Sequence, residues 1–116
     1  MTTVRQLLQT KGSNLWTVSP DASVYDALEI MADKNVGALL VLDQGDLAGI
    51  LSERDYARKV ILKGKSPMTT PVKEIMTTKV YYVQPEHTID DCMALMTNRQ
   101  VRHLPVLVDG RLGGMI

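Results

Sequence analysis

Residues 18–51 and 83–116 are two copies of one pattern. "VSPDASVYDALEIMADKNVGALLVLDQGDLAGIL" lies over "VQPEHTIDDCMALMTNRQVRHLPVLVDGRLGGMI" without a gap, at an offset of 65 residues from Val18 to Val83. Val18/Val83, Pro20/Pro85, Asp26/Asp91, Met31/Met96, Val36/Val101, Leu39/Leu104, Val41/Val106, Gly45/Gly110, Leu47/Leu112 and Gly49/Gly114 are identical. These are mainly apolar and turn positions, as a shared backbone requires. Such a repeat constrains the fold more than any single motif. Both copies must take one topology, and a unit this small buries its apolar face only with help from outside itself.

Each copy reads the same way. A short apolar strand (15–18; 80–83) leads into a proline-containing turn. Ser23-x-x-Asp26 and Thr88-x-x-Asp91 resemble capping boxes, with Asp in place of the usual Glu. Val24, Ala27, Leu28 and Met31 then recur at i, i+3, i+4 and i+7. Ile89, Cys92, Met93 and Met96 keep the same spacing, so both segments are predicted as amphipathic helices. Gln44-Gly45 and Asp109-Gly110, each between apolar runs, predict hairpins. Pro105 cannot donate to a ladder and belongs at a strand end, an edge or a bulge. Gly113 stands where a larger apolar residue is expected.

Short helical pieces precede both copies: "TVRQLLQT" with Val4, Leu7 and Leu8, and "PVKEIMTT" with Val72, Ile75 and Met76. "ERDYARKVILKG" predicts a helix ending at Gly64, and "KGKSPMTTP" reads as a linker with two prolines. The expected architecture is α/β (α+β): two repeats, each a small three-stranded sheet with helices, packed about a pseudo-two-fold axis. The expected division is a first repeat at 1–65, a linker at 66–71 and a second repeat at 72–116 that lacks its final helix.

Thirteen Lys+Arg balance thirteen Asp+Glu, which removes the broad positive field of a nucleic-acid binder. One cysteine cannot close an internal disulfide. No apolar run approaches the ~20 residues that span a bilayer, and the start has no signal-peptide pattern. The expected compartment is the cytoplasm, with neither a membrane nor a nucleic acid as partner. There is no GxxxxGK[ST], GxGxxG or GxSxG motif. Cys92 sits on the apolar helix face and reads as core, and His87, His103 and Cys92 have no zinc spacing. Neither a catalytic nor a metal-binding residue is expected.

The "VSP…SVYDAL" and "VQP…TIDDCM" openings, "VRHLPV", "DQGDLAGILSERD" and the tandem spacing together resemble a CBS-domain pair, or Bateman module, over almost the whole chain. The resemblance implies an intracellular regulatory module without chemistry of its own. Such modules bind AMP, ADP, ATP, S-adenosylmethionine or NAD(H) in clefts between the repeats, and they often form homodimers. They occur free or attached to enzymes, channels and transporters. An energy or redox sensor in signal transduction is the function implied.

"GILSERD" (49–55) carries the candidate site. Taken alone, Ser52 and Asp55 are a capping box at a helix start. The resemblance adds a ligand: Asp55 would hold the 2′- and 3′-hydroxyls of a ribose, and Ser52 the sugar or phosphate. A carboxylate suits two vicinal hydroxyls because it offers two acceptors to two donors. Capping and binding are compatible. Arg102 and His103 are either polar residues solvated at a strand entrance or, by the resemblance, ligands to the phosphate. Gly37 and Ala38 are small enough for an adenine edge to approach, with Thr17 and Val36 as neighbours. Arg54 and Arg58 are helical charges that reach either solvent or phosphate, and Trp16 reads as strand packing.

The second copy reaches "GGMI" where its own Ser-x-x-Asp would begin. Either that motif is missing, leaving one complete cleft, or the chain continues. Two other functions stay open: a dimerisation or interaction scaffold with a vacant cleft, and the regulatory fragment of a larger enzyme or transporter with its own target protein.

Overall fold

A computed structural model describes residues 1–11 and 15–116. The chain forms two compact units, one of Trp16–Val80 and one that joins Met1–Leu15 to Tyr81–Ile116.

In the first unit, β1 (Thr17–Val18) lies parallel to β2 (Ala38–Asp43), and β2 lies antiparallel to β3 (Asp46–Ser52), in the order β1-β2-β3. Gln44 and Gly45 join β2 to β3 with φ of 53° and 86°. Two consecutive positive φ angles make the type I′ turn that matches strand twist. Helix α2 (Val24–Lys34) starts at Ser23, whose Oγ accepts from the Asp26 N–H, and stops at Asn35 in the left-handed conformation. Beyond β3 come α3 (Glu53–Tyr56), a π-helical turn (Ala57–Ile61) and α4 (Val72–Ile75). The expected helix after Ser52 is therefore only one turn of α before it widens. Val18, Leu39, Val41 and Leu51 from one sheet face meet Val24, Ala27 and Met31 of α2, with Val60, Val72 and Ile75 completing the core. Burying a side chain of this kind contributes about 1.5–3 kcal/mol.

The second unit repeats this plan. Helix α5 (Ile89–Arg99) opens on Thr88, which forms a full capping box with Asp91. β4 (Pro105–Val108) and β5 (Arg111–Met115) pair around Asp109-Gly110, again with two positive φ angles. The registers coincide: Val41 faces Gly49 and Leu42 faces Leu47, as Val106 faces Gly114 and Leu107 faces Leu112. Each hairpin thus carries one bulged residue, Ala48 in the first and Gly113 in the second. Asp91's carboxyl is held below its ordinary range, first by the Thr88 backbone N–H and then by its side chain. Burial pushes the Cys92 thiol up, and the neighbouring Asp91 charge adds to this.

Two expectations change here. The predicted third strand of the second repeat is reduced to a single parallel bridge, Val83 to Val106. Pro105 supplies the reason. Its counterpart Leu40 donates its N–H to the Trp16 carbonyl, and proline has no N–H to give. Met93, placed by periodicity on the inner face of α5, is 60% exposed. Leu95 packs against that core instead.

The units also cut the chain differently from the contiguous division 1–65, 66–71, 72–116. Helix α1 (Val4–Lys11) belongs with residues 81–116, and α4 with residues 16–65. The two dockings follow one scheme. Val4 and Arg5 donate backbone N–H groups to His87 and Pro85 carbonyls at 2.8 and 3.0 Å. Val72 and Lys73 donate to Ala22 and Pro20 at 2.8 and 2.9 Å. Arg5 pairs with Glu86, and Lys73 with Asp21. Val4 and Val72 are wholly buried, so each piece seals a core that its repeat cannot close alone. The expected linker is tied down as well: Val24 and Tyr25 N–H groups bond the Thr70 and Pro67 carbonyls at 2.9 and 3.0 Å.

Candidate functional site

β2 begins where β3 ends, so Gly37-Ala38 and Ser52-Glu53 meet at one edge of the first unit. Ala38 is the register partner of Ser52, and the Glu53 N–H donates to the Gly37 carbonyl at 3.0 Å. Thr17, Leu40 and Ile50 lie across one ladder row. With alternation along each strand, Thr17, Ala38 and Ser52 share the sheet face opposite the one that builds the core. Thr77 extends that row. It exchanges two backbone hydrogen bonds of 2.9 Å with Ile50, which puts it on the same face, beside Ser52.

Asp55 stands over this edge and is 7% exposed. Its Oδ2 accepts from the Ser52 N–H and from Ser52 Oγ, both at 3.0 Å, while its own N–H donates to Ser52 Oγ at 3.1 Å. This is the capping box expected from sequence. Its Oδ1 accepts from Thr77 Oγ1 at 3.1 Å and pairs with Lys59 Nζ at 3.1 Å. Lys59 Nζ also donates to the Ile75 carbonyl at 3.0 Å. A buried charge needs such partners, since an unpaired carboxylate in this place would be strongly disfavoured.

A hollow of about 320 Å³ lies under the end of α2, lined by Leu28, Met31, Asn35, Val36, Gly37 and Glu53 among others. It joins two of the candidate residues, Val36 and Gly37, to the residue that follows Ser52. Ser52, Asp55, Thr17 and Arg58 do not line it. Thr17 is exposed on β1, Arg54 is exposed on α3, and Arg58 is exposed on the π-helical turn. Trp16 packs against the core and carries Lys34 Nζ 4.6 Å from its ring centre. Arg102 and His103 belong to the other unit, just before β4, the first exposed and the second half-buried. Among the described residues, no three His, Cys, Asp or Glu side chains are grouped to hold a metal ion, and no helix is long and apolar enough to cross a membrane.

Sequence reasoning missed Lys59 and Thr77. Lys59 is four residues after Asp55, a spacing at which helical charges meet. Thr77 has no comparable signal, because 22 residues separate it from Asp55.

Two units of one topology, each a hairpin sheet with a capped helix, form a tandem CBS pair. The CBS domain pattern matches residues 4–62 and 72–116, and the chain belongs to the CBS domain family. A Burkholderia ambifaria MC40-6 protein with CBS domains, ascribed to signal transduction, is 53% identical, with a TM-score of 0.96 over 99% of this chain and 87% of that one. The CBS domain-containing protein CBSX3 of Arabidopsis thaliana, a mitochondrial protein, is 42% identical over 99% of this chain. The present chain spans 60% of that relative's length. The CBS domain pair of protein MJ0100, solved with 5′-methylthioadenosine and S-adenosyl-L-methionine, is 25% identical, with a TM-score of 0.88 over 100% of this chain and 89% of that one. None of these relatives is named for an enzymatic activity.

Proposed function

We propose that the chain is a regulatory, non-catalytic module that binds an adenosine-containing ligand through Ser52 and Asp55. The observation that carries this reading is the shared sheet face of Thr17, Ala38 and Ser52, with Asp55's carboxylate held above it. A hydroxyl-lined edge beside a small residue suits a sugar with a flat base attached. The bound 5′-methylthioadenosine and S-adenosyl-L-methionine of the MJ0100 pair support the ligand class. AMP, ADP, ATP and NAD(H) are the ligands proposed here, and energy or redox sensing within the cytoplasm the role. Arg102 and His103, with Arg54 and Arg58, are proposed phosphate contacts on the family resemblance alone. A homodimer is the proposed assembly.

A ligand biases the module only by binding one arrangement more tightly than another. Binding to the folded state alone also raises its melting temperature. Mass spectrometry under native conditions, on protein purified without added nucleotide, identifies any ligand carried through. Calorimetry with AMP, ADP, ATP and NADH then compares wild type with Asp55→Asn. Lost binding in the variant supports the reading, and equal binding in the two proteins refutes it.

One observation favours the second reading, a scaffold with a vacant site: Asp55 already has four protein donors. In that case Asp55→Asn leaves association unchanged, and no nucleotide raises the melting temperature.

A further inference from the structure

We infer that a ribose reaches Asp55 by exchange, its hydroxyls replacing the Thr77 hydroxyl and the Lys59 ammonium at Oδ1, so that the ligand-free site is latched by its own side chains. This rests on the adenosine-ligand reading above and adds the step by which the site opens.

An ionised carboxylate offers about four lone-pair directions. At Asp55 four donors take them: the Ser52 N–H and Oγ at Oδ2, Thr77 Oγ1 and Lys59 Nζ at Oδ1. A new hydroxyl is therefore accepted only when one of these leaves. The Ser52 pair holds the start of α3, and its loss strips the helix of its cap. The other pair is freer. The Lys59 side chain is 44% exposed, and its Nζ has a second acceptor in the Ile75 carbonyl at 3.0 Å, so release from Asp55 does not strip it of every partner. The Thr77 hydroxyl turns about a single bond while the Thr77 backbone stays paired with Ile50. A vicinal diol brings two neighbouring O–H donors, the number that Oδ1 releases.

The exchange also carries a signal. Thr77 lies just beyond α4, and Lys59 bonds the last residue of α4, so both ties run from Asp55 to the segment that seals this unit's core. A ligand that takes Oδ1 removes the side-chain hold of Asp55 on that segment. Ligand occupancy and the firmness of the α4 closure are thereby linked through one carboxylate oxygen.

The test is calorimetric titration of adenosine into the full chain, as wild type, Thr77→Val and Lys59→Met. Valine keeps the threonine shape, and methionine keeps most of the lysine stem. Each variant is expected to bind adenosine about three- to tenfold more tightly, the ratio equivalent to one hydrogen bond of ordinary strength. 2′,3′-Dideoxyadenosine, which has no diol, gains nothing from either variant. Adenosine binding that is equal or weaker in either variant overturns the exchange while leaving the ligand reading in place. Adenosine binding to neither wild type nor variants refutes the ligand reading and the exchange with it. Binding in the variants alone means that adenosine does not displace Thr77 and Lys59 in the wild type, and overturns the exchange. A second measurement needs no substitution: acetylation of Lys59 in wild type, followed by mass spectrometry, should rise several-fold at saturating adenosine. Unchanged Lys59 acetylation under saturation overturns the exchange.

Discussion

Val108 fills the space that a side chain at residue 113 would need: a Cβ built on Gly113 would lie 2.7 Å from Val108 Cγ2. The corresponding places in the first repeat hold Asp43 and Ala48. The second hairpin thus trades a methyl at its bulge for a larger side chain at the strand end. Gly113→Ala should destabilise the protein by about 0.5–1.5 kcal/mol, the cost of pushing the 40% exposed Val108 side chain off its rotamer. Val108→Ala in the same chain should restore most of that loss. Urea unfolding of the wild type, both single variants and the double variant gives the coupling directly.

Val4 is wholly buried in the core of Val83, Cys92, Leu104 and Val106. Val4→Ala should cost about 1–3 kcal/mol, as cavity-forming changes in a core do. Its effect belongs far along the chain. Amide hydrogen exchange should quicken across 81–116 and stay near wild type across 16–80. Faster exchange confined to 16–80 would contradict the assignment of α1.

Asp55 holds both the α3 cap and the Thr77 and Lys59 ties. Asp55→Ala should therefore destabilise by about 1–3 kcal/mol, from a lost cap together with donors left unpaired. Asp55→Asn keeps the shape and should cost less. Thermal melts of the two variants, without ligand, separate this structural part from any change in binding.

Asp91 titrates below its ordinary value of 3.8 because Thr88 bonds its charged form. Between that lowered value and 3.8 the unfolded chain holds the extra proton, so falling pH favours unfolding. Asp91's contribution is complete above the ordinary carboxylate range and fades as pH drops through it. The stability gap between wild type and Asp91→Asn should be constant near neutrality and narrow below about pH 4. A gap that widens on acidification would contradict the cap.

Cys92 is 2% exposed, and its thiol is raised by burial and then by the Asp91 charge. The thiolate is the reactive form, so native protein should label slowly with iodoacetamide at neutral pH. Denaturant should restore ordinary rates. Because the folded thiol keeps its proton longer, its contribution to stability is intact below the ordinary value of 9.0 and is lost as pH rises above it.

Local signals carried the fold. The two-residue turns, the caps at Ser23, Ser52 and Thr88, and the apolar period of α2 can each be read within a few residues. The site was legible where it is local as well: Ser52 and Asp55 are three apart, and Gly37-Ala38 meets them through strand register. Three things were beyond a local reading. Thr77 reaches Asp55 only because α4 folds back beside β3. Met93 has the right period but the wrong face, because position along a helix does not say how wide the buried stripe is. The third strand of the second repeat looked apolar enough, yet its pairing failed for want of one N–H on the opposite strand, at Pro105.

The exchanged helical pieces set a timetable for synthesis. Everything in Trp16–Val80 is on hand once Val80 has cleared the ribosome, so that unit can close while translation continues. Val4 emerges earlier but has no partners until Val83, Leu104 and Val106 follow. At about 5–20 residues per second, α1 waits several seconds with its apolar side uncovered, a stretch whose destination has yet to be made.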